Sequence, residues 1–267
     1  MSTTDVFLIE PHADDFMISM CVAAAHYAGS AIKVHVVTMT AGGSGGVLDD
    51  LAGDVVCGWH GYKHNPAVEG YTAPAEADFV NLRLAESRAA LGSLVGYVAG
   101  NVGCEHFHGG LTDGFGSQPD GVAQAQAVIK QYVDSYANGT TFFHTMSPTA
   151  DDHPDHRACG QALRNLKNDP AYSSIVSGSR FFTTRLKWGS TEAAAEGLTT
   201  FPFTTSRKAE FDRAIRIGAK AYAAWQPPQT LGVAYHQVIN QFYQNGLDSQ
   251  GNGTQTNSVV IENRWHD

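Results

Sequence analysis

The chain has 267 residues, of which 43% are hydrophobic and 16% are charged, and its formal net charge is −9. These values are typical of a globular protein long enough to bury a substantial core, and they exclude a disordered chain. The acidic balance without a basic stripe argues against a nucleic-acid partner, and no apolar run is long enough to span a membrane.

The first predicted elements are a buried strand, Val6-Phe7-Leu8-Ile9, and a helix from Phe16 to Ala28. No basic segment followed by an apolar run precedes them, so we expect a cytoplasmic protein. The alternative is an exported protein whose signal has already been removed. The polar motif Pro11-His12-Ala13-Asp14-Asp15 separates strand from helix. Ligands of open α/β sheets bind at this edge.

His12 and Asp15 are three residues apart, so that one turn can direct both side chains at one point. An imidazole nitrogen and a carboxylate oxygen are ordinary zinc ligands. The alternative is that Asp14 or Asp15 serves only as a helix N-cap.

A second strand, Ile32 to Thr40, is rich in β-branched residues. The residues from 41 to 75 are predicted to form a long loop near the site, because they are rich in glycine and lack a sustained period. The glycines of this loop lack the pattern of a P-loop or a dinucleotide fingerprint. Its aromatic side chains, such as Trp59 and Tyr62, either cover a sugar or only attach the loop to the body.

The next predicted elements are a helix from Ala75 to Val95, a strand from Glu105 to His108 and a helix from Asp120 to Tyr136. Thr140 to Thr145 is predicted as a further strand, and Asp151-Asp152-His153-Pro154-Asp155-His156 follows it before a helix through Lys167. Pro154 suits the first position of that helix. A strand end and a helix start therefore flank a second cluster of histidine and aspartate.

The last third is predicted to contain a strand from Arg180 to Leu186 and a helix from Glu210 to Trp225. Val233 to Tyr243 is ambiguous between helix and strand, and Asp248 to Asn257 is predicted as a loop. The alternation of strands and helices predicts an α/β, Rossmann-like three-layer fold. We expect a mostly parallel sheet with helices on both faces and a site at the carboxyl edge of the strands. One domain, 1–267, is expected, with a looser part from about residue 190.

Together the two motifs resemble those of the PIG-L/LmbE-like family of zinc-dependent N-acetylglucosaminyl deacetylases. That family carries a His-Pro-Asp-Asp motif after its first strand and a His-x-Asp-His motif later, which here stand as His12-Ala13-Asp14-Asp15 and His153-Pro154-Asp155-His156. Ala13 replaces the usual proline. Phe16 stands where a glutamate is common, so we expect the outer hydrogen bond of that glutamate to be missing.

The resemblance implies a zinc ion held by His12, Asp15 and His156, with one coordination position open. Another divalent metal is an alternative. Asp14 would act as the general base. His153 would contact the developing oxyanion, and Asp155 would orient the His153 ring.

Two further residues match the family's sugar-binding positions, namely Arg83 and Asp113. The alternatives are that Arg83 forms a surface ion pair of little value and that Asp113 is an ordinary Asp-Gly turn residue.

The implied activity is removal of an N-acetyl group from an N-acetylated amino sugar that is free, part of an oligosaccharide or linked to a larger scaffold. Cleavage of a longer acyl group by an amidase and a non-catalytic sugar- or metal-binding module are the alternatives. The expected partner is therefore a small-molecule amino sugar or glycoconjugate, and the oligomeric state stays open. Cys21 and Cys159 are expected to be buried on helices, whereas pairing of Cys57 with Cys104 is a minority alternative.

Overall fold

The computed structural model describes residues 5–43, 46–57, 61–99, 102–136, 141–184, 187–200, 207–223 and 263–267. The strands are β1 Asp5–Glu10, β2 Lys33–Thr38, β3 Cys104–His108, β4 Phe142–Met146, β5 Arg180–Thr183, β6 Thr199–Thr200 and β7 Arg264–His266. The helices are α1 Cys21–Gly29, α2 Gly46–Ala52, α3 Pro66–Glu69, α4 Glu76–Ala99, α5 Gly121–Tyr136, α6 Pro154–Asn168, α7 Thr191–Ala195 and α8 Lys208–Ala223. A π-helical turn, Phe16–Met20, precedes α1, and a 3-10 turn, Phe115–Ser117, precedes α5.

The strands form one sheet in the order β3-β2-β1-β4-β5-β7-β6. β1 to β5 run parallel, whereas β7 pairs antiparallel with both β5 and β6. The predicted mostly parallel sheet is therefore confirmed. β7 was missed because its three residues are too few to carry a strand signal of their own, and they become a strand by pairing with β5 and β6.

Alternate residues of β1 face opposite layers of the protein. Val6 and Leu8 pack in one apolar cluster with α1, α4 and α8, whereas Phe7 and Ile9 pack in a second cluster with α5 and α6. All six residues of β1 are buried, as expected for the central strand of a parallel sheet covered on both faces. The predicted three-layer arrangement is confirmed.

The strand order reverses direction between β1 and β4. The chain runs outward from β1 through β2 to β3 on one side, and from β4 to β5 on the other. Ligands of open α/β sheets bind in the crevice at such a switch point, outside the carboxyl ends of the strands. The two polar motifs follow β1 and β4, so the topology brings them to the same crevice.

The segment from 41 to 75 is more ordered than predicted, because it contains α2 and α3. Val47 and Leu51 of α2 pack on Phe79 of α4, which supplies the apolar contact that a short helix needs. The Asn65 side chain accepts a hydrogen bond from the Val68 N–H and so caps α3. The predictions for Val233 to Tyr243 and for Asp248 to Asn257 lie outside the described residues.

The last described helix, α8, packs against α1 and α4 in one apolar layer. Its packing supports the prediction of a single domain, which stays a prediction because 224–262 lie outside the described residues. Within the described ranges, no helix is long and apolar enough to cross a membrane.

All four cysteines are free thiols. Cys21 and Cys159 are fully buried on α1 and α6, as predicted. The alternative that Cys57 pairs with Cys104 is wrong. Cys104 begins β3 at the amino edge of the sheet, whereas Cys57 lies in the segment that follows the carboxyl end of β2.

His144 of β4 is fully buried and uncharged. Its Nε2 lies 2.8 Å from the Tyr27 hydroxyl, and its Nδ1 accepts the Arg180 N–H at 3.1 Å. Burial, with the nearby Arg180 charge, lowers the pKa of His144 to about 3. The unfolded chain therefore takes up a proton at this residue near its ordinary pKa of 6.5, long before the folded protein does.

We therefore expect the free energy of unfolding to fall as pH drops from about 6.5 toward 3. His144 contributes up to about 1.4 kcal/mol per pH unit to this slope. Urea unfolding of the wild type and of His144→Gln at pH 7 and pH 5 measures this contribution. The variant should lose less stability over that interval, and equal losses would contradict the prediction.

Candidate metal centre

The chain after β1 folds into a tight turn that brings His12 and Asp15 together. The N–H groups of Asp14 and Asp15 both donate to the His12 carbonyl, at 2.8 and 3.1 Å. The His12 N–H donates to Asp15 Oδ2 at 2.8 Å, and the same oxygen lies 3.2 Å from His12 Nδ1. Asp15 makes no side-chain cap bond to the following turn, so the N-cap alternative is not supported for it.

His156, in the first turn of α6, completes a triangle of ligand atoms. Its Nε2 lies 3.1 Å from Asp15 Oδ2 and 3.3 Å from His12 Nδ1. The corners of a tetrahedron with bonds of about 2.0–2.1 Å are about 3.3–3.4 Å apart. One oxygen and two nitrogens from distant parts of the chain therefore have the spacing of three ligands of a tetrahedral zinc ion.

The second nitrogen of each ring faces a carboxylate. His12 Nε2 lies 3.1 Å from Asp155 Oδ2, and His156 Nδ1 lies 3.1 Å from Asp151 Oδ2, although the angle of the latter contact falls outside hydrogen-bond geometry. A carboxylate on the far nitrogen is the usual support of a metal-binding histidine, because it fixes the tautomer and the ring orientation. The donor set and its supports therefore fit a divalent metal.

The position of Asp155 differs from its predicted role. Its carboxylate lies on His12 and accepts the N–H groups of Gly114 and Gly116, at 3.0 and 2.6 Å, instead of orienting His153. The reason is that His153 caps the start of α6. It therefore contacts the backbone N–H of Asp155, which donates to His153 Nδ1 at 3.3 Å, and not the Asp155 carboxylate.

Asp151 belongs to the second motif, and its sequence context predicted no role for it. It is 6% exposed, and its carboxylate supports His156. One sequence feature could have predicted this role. Asp151 lies a few residues before His156, and a metal-binding histidine usually has a carboxylate partner.

The electrostatics of the cluster favour a bound cation. Burial would raise the pKa of Asp15, but His156 and His12 hold it far below its usual range. Burial would lower the pKa of His156, but Asp15 and Asp151 outweigh burial and raise it to about 10. Ionised carboxylates thus surround both rings, and a divalent metal is one way to balance their charge.

Asp14 is not part of the triangle and is 5% exposed. Its Oδ2 lies 3.1 Å from Arg83 Nη2 on α4. Burial raises the pKa of Asp14 above its ordinary value, and the Arg83 charge partly opposes this rise. The alternative of a surface ion pair for Arg83 is wrong, because its side chain is 2% exposed and α4 packs its guanidinium beneath the motif turn.

His153 lies at the edge of the cluster and is more exposed than the other two histidines. Its ring centre is 4.6 Å from that of His12 and 4.9 Å from that of His156. Burial, together with the charges of those two rings, lowers the pKa of His153. Because Nδ1 accepts the Asp155 N–H, the proton of the neutral ring is on Nε2.

Asp113 contacts the cluster from outside, with its Oδ1 at 3.5 Å from His12 Nε2. It also lines an adjoining cavity of about 310 Å³, whose walls are mostly polar and comprise Thr112, Asp113, Phe115, Gln118, Asp120 and Gln124. Asp113 therefore joins the histidine cluster to an open space that could receive a ligand.

Among the residues that the structure describes, two further triads have ligand atoms within 4.8 Å of one another. One is His12 with His153 and His156, and the other is His12 with Asp113 and Asp155. The second triad is wider than the triangle that includes Asp15, because Asp113 Oδ1 lies 3.5 Å from His12 Nε2. In the second triad, Asp155 already accepts two backbone N–H groups, as expected of a supporting residue.

Solved structures share the fold of this chain. A deacetylase triple mutant of the teicoplanin biosynthetic pathway is 17% identical, with a TM-score of 0.55 over 98% of this chain and 96% of that chain. The A40926 pseudoaglycone deacetylase Dbv21 is 16% identical, with a TM-score of 0.51 over 97% of this chain and 95% of that chain. The 4-carboxy-2-hydroxymuconate hydratase GalB of Pseudomonas putida is 17% identical, with a TM-score of 0.52 over 99% and 95%. Because a hydratase shares the fold, the fold alone does not decide the reaction.

No curated protein sequence matches the chain. The model of one protein family does match it, over residues 7–167, which is more than half of the chain. This stretch begins in β1 and ends in α6, so it contains both motifs and every residue of the ligand triangle. The chain belongs to the PIG-L family, described as GlcNAc-PI de-N-acetylases.

Proposed function

We propose that the chain is a zinc-dependent deacetylase that hydrolyses the amide bond of an N-acetylated amino sugar to give a free amine and acetate. The observation that carries the proposal is the triangle of ligand atoms from His12, Asp15 and His156, with sides of 3.1–3.3 Å. Membership of a de-N-acetylase family supports it independently. Another divalent ion would suit the same ligands, and its availability would decide between them.

Amide hydrolysis requires an activated water, stabilisation of an oxyanion and a proton for the departing amine. A zinc ion held by these three residues would lower the pKa of a water molecule and polarise the acyl carbonyl. Asp14 is free of the triangle and adjacent to it in sequence, so it would accept the proton of the attacking water. The buried Arg83 would hold the Asp14 carboxylate in place for that step.

His153 would act on the other side of the amide. Its Nε2 carries the proton of the neutral ring, because Nδ1 accepts the Asp155 N–H. This N–H would donate a hydrogen bond to the developing oxyanion. The proton that the departing amine needs would be the one that Asp14 has accepted from the attacking water. Asp155 and Asp151 would keep the His12 and His156 rings in orientation.

A sugar substrate is supported by the cavity beside Asp113. Its walls carry hydroxyl, amide and carboxylate groups, which are the partners that sugar hydroxyls use. We propose that Asp113 contacts the sugar directly. Arg83 is 2% exposed and paired with Asp14, so its contribution would be made through Asp14.

The test is hydrolysis by the zinc-loaded protein. We expect acetate and free amine from N-acetylglucosamine, from its disaccharide or from an N-acetylglucosaminyl glycoside, and little release from long-chain amides. Faster release from the long-chain amides would instead support the amidase alternative. No hydrolysis of any of them, with zinc bound, would support a binding module.

Asp113→Asn tests the sugar contact within the same assay. Loss of a charged hydrogen bond, worth about 1.5–3 kcal/mol, should raise KM roughly tenfold or more with a smaller change in kcat. Asp152→Asn is the matched control, since the Asp152 side chain is 71% exposed and pairs with Lys187. An unchanged KM in Asp113→Asn would remove Asp113 from the sugar site.

A further inference from the structure

Glu10, the last residue of β1, is a fully buried carboxylate two residues before His12. Its Oε2 accepts the Phe16 N–H at 3.0 Å. Its Oε1 accepts the hydroxyls of Ser87, at 2.7 Å, and of Thr38. A buried carboxylate is costly unless it is fully hydrogen-bonded, and Glu10 meets this condition with three donors.

The three donors come from three elements around the metal-binding turn. Phe16 directly follows Asp15, Thr38 ends β2, and Ser87 lies one helical turn beyond Arg83 on α4. One side chain therefore connects the end of the turn that carries Asp14 and Asp15 to the neighbouring strand and to the helix that carries the partner of Asp14.

A second contact holds the middle of the turn. The Tyr222 hydroxyl of α8 donates to the Ala13 carbonyl at 2.8 Å. This contact fixes the middle of the turn, whereas the contact of Glu10 with the Phe16 N–H fixes its end. The contact of Glu10 therefore lies directly next to Asp15, whose carboxylate faces His156.

The Phe16 side chain is fully buried in an apolar cluster. Phe16 has no carboxylate of its own, and the carboxylate that reaches the turn is that of Glu10, which accepts the Phe16 N–H. Resting on the proposed function, we infer that Glu10 is a positioning residue that sets the metal affinity and the orientation of Asp14 and Asp15.

Two substitutions separate this role from one in stability alone. In Glu10→Gln, the amide oxygen can accept the Phe16 N–H while the NH₂ group donates to the two hydroxyls, which can turn to accept. In Glu10→Met, all three donors lose their acceptor. Tyr27→Phe is the matched control, because it removes a buried hydrogen bond to His144 that is remote from the turn.

The measurements are the zinc Kd by chelator competition, kcat at saturating zinc, and the unfolding free energy of the metal-free protein. We expect Glu10→Met to raise the zinc Kd about 10- to 100-fold and to lower kcat, and Glu10→Gln to restore most of both. Tyr27→Phe should lose stability but keep the wild-type zinc Kd. If Glu10→Met does not fold, Glu10→Asp should show the same rise in Kd, because its shorter side chain cannot reach all three donors.

A wild-type zinc Kd and kcat in Glu10→Met, or in Glu10→Asp where the former does not fold, would overturn the inference. So would a defect in Glu10→Gln as large as that in Glu10→Met, because the role would then belong to the charge and not to the hydrogen bonds. Wild-type protein that binds no zinc would overturn the proposed function and this inference with it. Wild-type binding together with unaffected variants would overturn the inference alone.

Discussion

Replacing Asp14 by asparagine is expected to lower turnover by about 100- to 10,000-fold while zinc stays bound, because a general base contributes roughly this factor. The Asp14 carboxylate lies outside the triangle of ligand atoms, so its loss removes no metal ligand. The asparagine oxygen can still accept a hydrogen bond from Arg83, which limits the damage to the buried pair. The measurements are kcat with saturating substrate and the zinc content per chain.

Asp152→Asn is the control for Asp14→Asn. It also neutralises one aspartate of a motif, but this aspartate is on the surface and paired with Lys187. Its kcat should equal that of the wild type. An Asp14→Asn enzyme with unimpaired turnover would exclude Asp14 as the base, whereas loss of zinc from that variant would show that Asp14 serves the metal instead.

Replacing His156 by alanine is expected to abolish stoichiometric zinc binding and, with it, hydrolysis. Nε2 of His156 is one of three ligand atoms, and two ligands from a single turn hold a divalent ion far less tightly than three. Metal analysis after dialysis, together with the acetate assay, measures both losses. Full zinc content in the His156→Ala variant would refute the proposed ligand set.

Asp151→Asn provides a graded comparison for His156→Ala. It keeps the His156 imidazole but replaces the supporting carboxylate of Asp151 by a neutral amide. Loss of such a support typically costs 10- to 100-fold in metal affinity, so zinc should remain bound at high concentration and be lost on dilution. Equal effects of the two substitutions would indicate that His156 is not a direct ligand.

Much of the fold and of the candidate site could be read from the sequence. The alternation of apolar strands with helical segments predicts a parallel three-layer sheet, because strands buried on both faces need continuous apolar runs such as Val6 to Ile9. The spacing of His12 and Asp15 predicts their proximity, since one turn joins them. The order of the two motifs after separate strands predicts their meeting at one sheet edge.

The supporting contacts could not be read in the same way. Asp155 was expected on His153 but lies on His12, and Asp151 was given no role although it supports His156. Arg83 was expected either at the sugar or on the surface, but it is buried against Asp14. These partners are far apart in the chain or depend on the exact start of a helix, and no periodicity records such pairings.

By itself, then, the sequence determined the elements, the two motifs and the chemistry of the donor atoms, because these depend on local pattern and residue type. Only the tertiary structure decided which carboxylate supports which histidine and how Glu10 and Tyr222 hold the motif turn. The physical reason is that a buried polar group takes whichever partner the packing of separate elements brings within hydrogen-bond distance. The pairing of buried polar groups is therefore determined by the packing of the three layers and not by the sequence of any one segment.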